Sequence, residues 1–185
     1  MMDSIKNGAL AIIPTDTIYG LVASALLPEA VENLYAIRGR DENKPCIILI
    51  ADISELEKFG ITPTPRQKEI LAKLWPGTFS VILPCVNPKF AYLHRGMNSL
   101  AFRVPAKATL QALLQTTGPL LAPSANPQGE PTARNIKEAQ SYFGDRIKIY
   151  LDGGEISGQP STLLEFNGDK IKILRQGAGL VPVNL

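Results

Sequence analysis

The chain has 185 residues, 45% hydrophobic and 19% charged, with a formal net charge of +2. This is the composition of an ordinary soluble globular protein, long enough for one domain with a sizeable core. It excludes several classes: no apolar run approaches the roughly 18 residues of a membrane span, the start Met1-Met2-Asp3-Ser4-Ile5-Lys6 is not a secretory signal, and Cys46 and Cys85 are no disulfide framework. The two cysteines read as buried free thiols of a reducing compartment, and the chain as cytoplasmic with no membrane partner. A net charge of +2 does not by itself imply nucleic acid, so any anion site must come from local clustering of basic groups.

In chain order, residues 9–13 predict a buried strand. They run into Pro14-Thr15-Asp16-Thr17-Ile18-Tyr19-Gly20-Leu21, where two hydroxyls, a carboxylate and a flexible glycine follow a strand end. Such a segment serves either as a strand end with a helix cap or as one wall of a ligand pocket, because small hydroxyls donate and accept without filling space. Residues 28–37 predict a helix with Pro28 in its first turn and an apolar stripe at Ala30, Val31, Leu34, Tyr35 and Ile37. Residues 46–51 predict a second buried strand, and Asp52 caps a short helix that Gly60 ends. Thr64-Pro65 opens a helix through Trp75, stopped by Pro76-Gly77.

Residues 78–83 and 99–104 predict strands. Residues 107–115 predict a helix closed by Gly118-Pro119, and residues 120–122 a short strand entering Pro123-Ser124-Ala125-Asn126-Pro127. Thr132 is expected to cap a helix ending at Gly144, with a strand at 146–151 and a glycine-rich loop at 152–158 after it. The last strands, 162–166 and 170–174, flank Asn167-Gly168, a strong hairpin signal. Crossovers and hairpins together predict an α/β fold, one domain over residues 1–185, without repeats or linkers.

Arg38-Gly39-Arg40 and Lys44 lie between the first predicted helix and the second predicted strand. Cations there complement a helix C-terminus. Drawn together by Gly39 and the Asn43-Lys44-Pro45 turn, they also suit phosphate or carboxylate. Ser124 and Asn126 are held between two prolines, as an ordinary turn or as a fixed pair of polar groups. Arg103 interrupts an apolar strand and therefore needs a partner, a cleft or an exposed edge. There is no G-x-x-x-x-G-K-[ST] and no G-x-G-x-x-G. His94, the single histidine, reads as a surface residue, Trp75 as core, and no Cys/His cluster offers a structural metal site.

Taken together, Pro14 to Leu21, Arg38-x-Arg40 with Lys44-Pro45, Trp75-Pro76-Gly77, Phe102-Arg103-Val104-Pro105, Ala122-Pro123-Ser124-Ala125-Asn126, Ser161-Thr162 and Leu174-Arg175-Gln176-Gly177-Ala178 resemble the YrdC-type family. The motifs keep the family's order over nearly the whole chain. Two positions depart from the pattern: Arg38 stands where the family has Lys, and Gln176 where it has Pro.

The resemblance implies a twisted mixed sheet with flanking helices around a basic concave cavity, in the short, single-domain form. It implies a threonylcarbamoyl-adenylate synthase that condenses L-threonine, bicarbonate or CO2, and ATP for the threonylcarbamoyladenosine modification of tRNA. By position, Arg38, Arg40 and Lys44 would be catalytic. Arg40, Lys44, Ser124, Asn126, Ser161 and Arg175 would hold ATP, and Thr17 with Arg103 would hold threonine. Mg2+ would accompany the triphosphate, with no protein-bound metal, and tRNA or tRNA-modification proteins are the expected partners. The alternatives are a non-catalytic RNA-binding protein of the same fold, or a paralogue carbamoylating a different acceptor.

Overall fold

The computed structural model describes residues 1–39, 45–168 and 170–182. Its strands are β1 (Ala11–Pro14), β2 (Tyr19–Ser24), β3 (Ile47–Leu49), β4 (Phe79–Pro84), β5 (Ser99–Arg103), β6 (Leu120–Leu121), β7 (Ile149–Tyr150), β8 (Thr162–Asn167) and β9 (Lys170–Arg175). They form one sheet in the order β7-β1-β2-β6-β3-β5-β4-β8-β9, with parallel pairs β1–β7, β3–β5 and β4–β8 among antiparallel ones. The helices are α1 (Met2–Lys6), α2 (Pro28–Arg38), α3 (Pro65–Leu74), α4 (Ala91–His94), α5 (Ala108–Thr117) and α6 (Ile136–Phe143), with three short 3₁₀ turns. Among the described residues no helix is long and apolar enough to cross a membrane.

Most helix ends follow local chemistry. Thr64 and Gln67 form a capping box, each side chain accepting the other's backbone N–H, with Pro65 at the first helical position of α3. Asp52 caps the 3₁₀ turn Ile53–Phe59 through Ser54 N–H at 2.8 Å. Gly39 (φ 60°) closes α2 in the left-handed region that glycine enters without strain.

Three expectations are corrected. Asn135, not Thr132, caps α6, accepting from Glu138 N–H while the Glu138 carboxylate takes Arg134 N–H. β2 begins inside the segment read as a strand end with a cap or a pocket wall and was not expected as a strand, because Tyr19–Ser24 is buried on both faces and shows no alternation. His94 is buried, not on the surface: it ends α4 against α2 and accepts Gly96 N–H on Nδ1 at 3.2 Å. Cys46 and Cys85 are buried and in no disulfide, and Trp75 is buried with its indole N–H on the Phe79 carbonyl at 2.7 Å.

Strand periodicity divides the core in two. Ile12, Leu21, Ile48 and Leu121 face one way, into the larger cluster with α2, α3, α4 and α6. Their neighbours Ala11, Ile13, Val22, Leu49 and Leu120 face the other way, into a smaller cluster closed by Ile5 of α1 and Leu110, Leu113 and Leu114 of α5. The apolar cover on this second face ends at β3. Beyond it the same face carries Arg103 on β5, Ser80 on β4, Leu163 on β8 and Arg175 on β9. The register makes the change explicit: Leu120 pairs with Leu49, and Leu49 pairs with Arg103.

Candidate active site

A cavity of about 240 Å³ occupies this uncovered part of the sheet. Ile47, Leu49 and Leu163 make an apolar floor, and Gly20 and Ala122 keep it open by their small size. Polar groups enter from the rim: Thr15 and Thr17 from the β1–β2 turn, Arg38 from the end of α2, Ser124 from the loop after β6, Ser161 before β8, and Arg103 and Arg175 from the ends of their strands. The described lining thus has three guanidiniums and no carboxylate. Among the described residues no group of three or more His, Cys, Asp and Glu could hold a metal.

The Thr-Asp-Thr segment is the turn of the β1–β2 hairpin. Thr15 Oγ1 accepts from Thr17 N–H and Ile18 N–H at 3.1 and 3.2 Å and donates to the Ile18 carbonyl, a threonine-centred turn. This presents Asp16 and Thr17 to Arg103. The guanidinium donates through Nε to Gly77 O at 3.1 Å, through Nη1 to Thr17 Oγ1 at 3.0 Å, and through Nη2 to the Asp16 carboxylate. Asp16 also accepts Ala106 N–H at 3.1 Å. Burial pushes Arg103 down to about 10, which still leaves it a cation at neutral pH. A guanidinium has five N–H donors, so this network leaves donors for a ligand on the cavity side.

Residues 123–125 run along β2 like an extra strand: Leu21 N–H bonds Pro123 O, Ala125 N–H bonds Tyr19 O, and Gly20 bridges to Ser124. Ser124 reaches the cavity, but Asn126 does not. Its amide nitrogen donates to Pro127 O and Glu130 O, and its carbonyl accepts from Arg38. On the far wall Ser161 Oγ lies 2.7 Å from buried Ser80 Oγ, and Arg175 donates to Ser161 O at 2.8 Å. Gln176 bonds Gly179 O at 2.7 Å and Gly177 O at 3.1 Å, so side-chain bonds stabilise the turn where the family pattern has proline.

Of the residues read from the sequence, Thr17, Arg38, Arg103, Ser124, Ser161 and Arg175 line one cavity. Asn126 stands one layer behind them, and Arg40 and Lys44 lie outside the described residues. Sequence reading placed Thr15 and Asp16 in a segment that could wall a pocket, without an individual role, and gave none to Ser80. Ser80 did leave a signal, being a lone hydroxyl inside the apolar run of β4. Chemically, such a lining suits a polyanionic ligand. It neutralises and positions charge, with no histidine in the described lining to serve as a general base.

Residues 3–177 match the sequence model of the Sua5/YciO/YrdC family, described as "Telomere recombination". The chain is 33% identical over 179 residues to the threonylcarbamoyl-AMP synthase of Bacillus subtilis, covering 94% of this chain and 51% of the relative. It is 34% identical over 176 residues to that of Pyrococcus abyssi, covering 94% and 52%. The chain therefore spans about half the length of these two curated relatives. The fold matches the crystal structure of P. abyssi Sua5 complexed with L-threonine at a TM-score of 0.87, with 33% identity over 95% of this chain and 52% of that one.

Proposed function

The chain belongs to the Sua5/YciO/YrdC family, and on that premise we propose that it makes threonylcarbamoyl-AMP and pyrophosphate from L-threonine, bicarbonate or CO2, and ATP. The observation that carries this reading is the cavity itself. Three guanidiniums and several hydroxyls converge on an apolar floor, in a fold shared with a relative that was crystallised with threonine.

The unprotonated threonine amine first attacks CO2: the N–C bond forms as a C=O π pair moves onto oxygen, and the nitrogen releases a proton to solvent to leave the carbamate. A carbamate oxygen then attacks the α-phosphorus of ATP. The new P–O bond forms as the bond to the β,γ-unit breaks, and pyrophosphate leaves with that electron pair. Negative charge crowds at the reacting phosphate, so fixed cations and N–H donors are the catalytic resource, together with alignment of the two substrates.

In this assignment Arg103, held by Asp16 and Thr17, faces the threonine carboxylate. Ser124, Ser161 and Arg175, with Arg40 and Lys44 from the neighbouring segment, take the nucleotide. Mg2+ enters as part of the substrate, MgATP, held mostly through phosphate oxygens and water. The product would supply the threonylcarbamoyl group for tRNA modification by a separate transfer step.

Pyrophosphate release tests the reading. We expect release from ATP and Mg2+ only when threonine and bicarbonate are both present. Release no greater with both than with either alone would overturn it. RNA binding that weakens steeply with salt, without turnover, would instead favour the binding-module reading.

A further inference from the structure

Arg38 occupies the position where the family pattern has lysine, and two of its three guanidinium nitrogens, Nε and Nη2, are engaged by the loop after β6. Nε donates to the carbonyls of Ser124 (3.1 Å) and Asn126 (2.9 Å), while Nη2 donates to Ser124 Oγ (2.8 Å) and Asn126 Oδ1 (3.2 Å). The Arg38 carbonyl accepts Gln128 N–H at 3.0 Å, so the last turn of α2 grips this loop from both main chain and side chain. The residue is only 5% exposed. A lysine could not reproduce this. Its ammonium is one compact charge, whereas the arginine fork reaches two carbonyls from one nitrogen and two side-chain oxygens from another.

The consequence falls on Ser124. A hydroxyl has one proton and two lone pairs. Accepting from Nη2 occupies a lone pair and turns the proton away from the guanidinium, on a residue that lines the cavity. The adjacent positive charge also makes the hydroxyl a better donor. Resting on the synthase reading, we infer that Arg38 is a positioning residue. It acts through Ser124, fixing its hydroxyl as a one-way donor to a phosphate oxygen of the nucleotide.

A double-mutant cycle on the full chain, with ATP affinity read by calorimetry, decides this. Arg38→Lys keeps the charge but loses the fork, and Ser124→Ala removes the donor. We expect each to weaken ATP binding about tenfold, and the double variant also about tenfold, because both remove one device. Losses that multiply to about a hundredfold in the double variant overturn the inference, as does Arg38→Lys binding ATP like the parent, which is what a direct charge contact predicts.

Amide exchange at residues 124–128 reads the clamp without ligand. Arg38→Lys should accelerate it at an unchanged melting temperature, and unaltered exchange also overturns the inference. A parent that binds ATP but shows no threonine-dependent pyrophosphate release overturns the synthase reading while leaving the cycle readable. A parent that binds no ATP overturns both.

Discussion

A guanidinium with 4% exposure must have its charge answered within the protein. Asp16 does this for Arg103, and Thr17 fixes the fork's remaining orientation. The two residues have separable roles: one neutralises, the other aims. Thr17→Val keeps the β-branched shape of the turn, yet removes the acceptor at 3.0 Å from Nη1. Arg103 stays charged and loses part of its alignment. We expect the KM for threonine to rise about five- to hundredfold, the equivalent of about 1–3 kcal/mol for an unsatisfied buried donor, with ATP affinity little changed. Steady-state kinetics varying each substrate in turn measures this, and a defect confined to ATP would place Thr17 on the nucleotide side. Arg103 itself was legible in the sequence as a cation inside an apolar strand that demanded a partner. Asp16 as that partner was not, since 87 residues separate the two and no local rule relates them.

Among the elements, those governed by short-range chemistry were legible: the Asn167-Gly168 hairpin, the opening of α3 at Thr64-Pro65, and the turn that Asp52 caps and Gly60 closes. Those decided by tertiary cover were not. Helices of five and four residues, α1 and α4, are too short to show a period, and β2 is buried on both faces. The segment 152–158 reads as a glycine-rich loop, yet it is pinned at three points. Tyr19 Oη accepts Gly153 N–H and donates to Gly154 O, both at 2.8 Å, Ile156 N–H bonds Arg134 O, and Gly158 presses on the hairpin turn. A Cβ on Gly158 would lie 2.1 Å from the Thr17 carbonyl oxygen, backbone against backbone. Gly158→Ala must therefore move the loop off the turn that holds Thr17. The expected result is a raised KM for threonine with a melting temperature lowered by only a few degrees, since the loop is largely exposed. Unchanged threonine kinetics would mean that the loop does not support the site.

For the molecule as a whole, one sheet face carries two tasks in adjacent halves. Under α1 and α5 it is sealed and apolar. Beyond β3 the same alternation presents Arg103, Ser80, Leu163 and Arg175 instead. Stability should therefore reside in the sealed half and binding in the open half, and substitutions should separate the two. Leu114 is fully buried on α5, so Leu114→Ala deletes part of the seal and should cost about 2–5 kcal/mol of unfolding free energy. Leu114 is not itself part of the cavity lining, although its cluster includes the floor residue Leu49, and ATP affinity measured where the variant remains folded should match the parent. Arg175 sits at the exposed rim with one hydrogen bond to Ser161 O. Arg175→Gln should barely move the urea midpoint, but it should weaken ATP binding about ten- to hundredfold through loss of a charge-assisted contact. Denaturant titration and calorimetry on both variants form a two-by-two comparison. If Leu114→Ala weakens ATP binding as much as Arg175→Gln does, the halves are coupled and the division fails. The partition also accounts for what the sequence could not reveal. Residues 78–83 and 99–104 were legible as strands, but only the point where the helical cover stops turns Ser80 and Arg103 into part of a site.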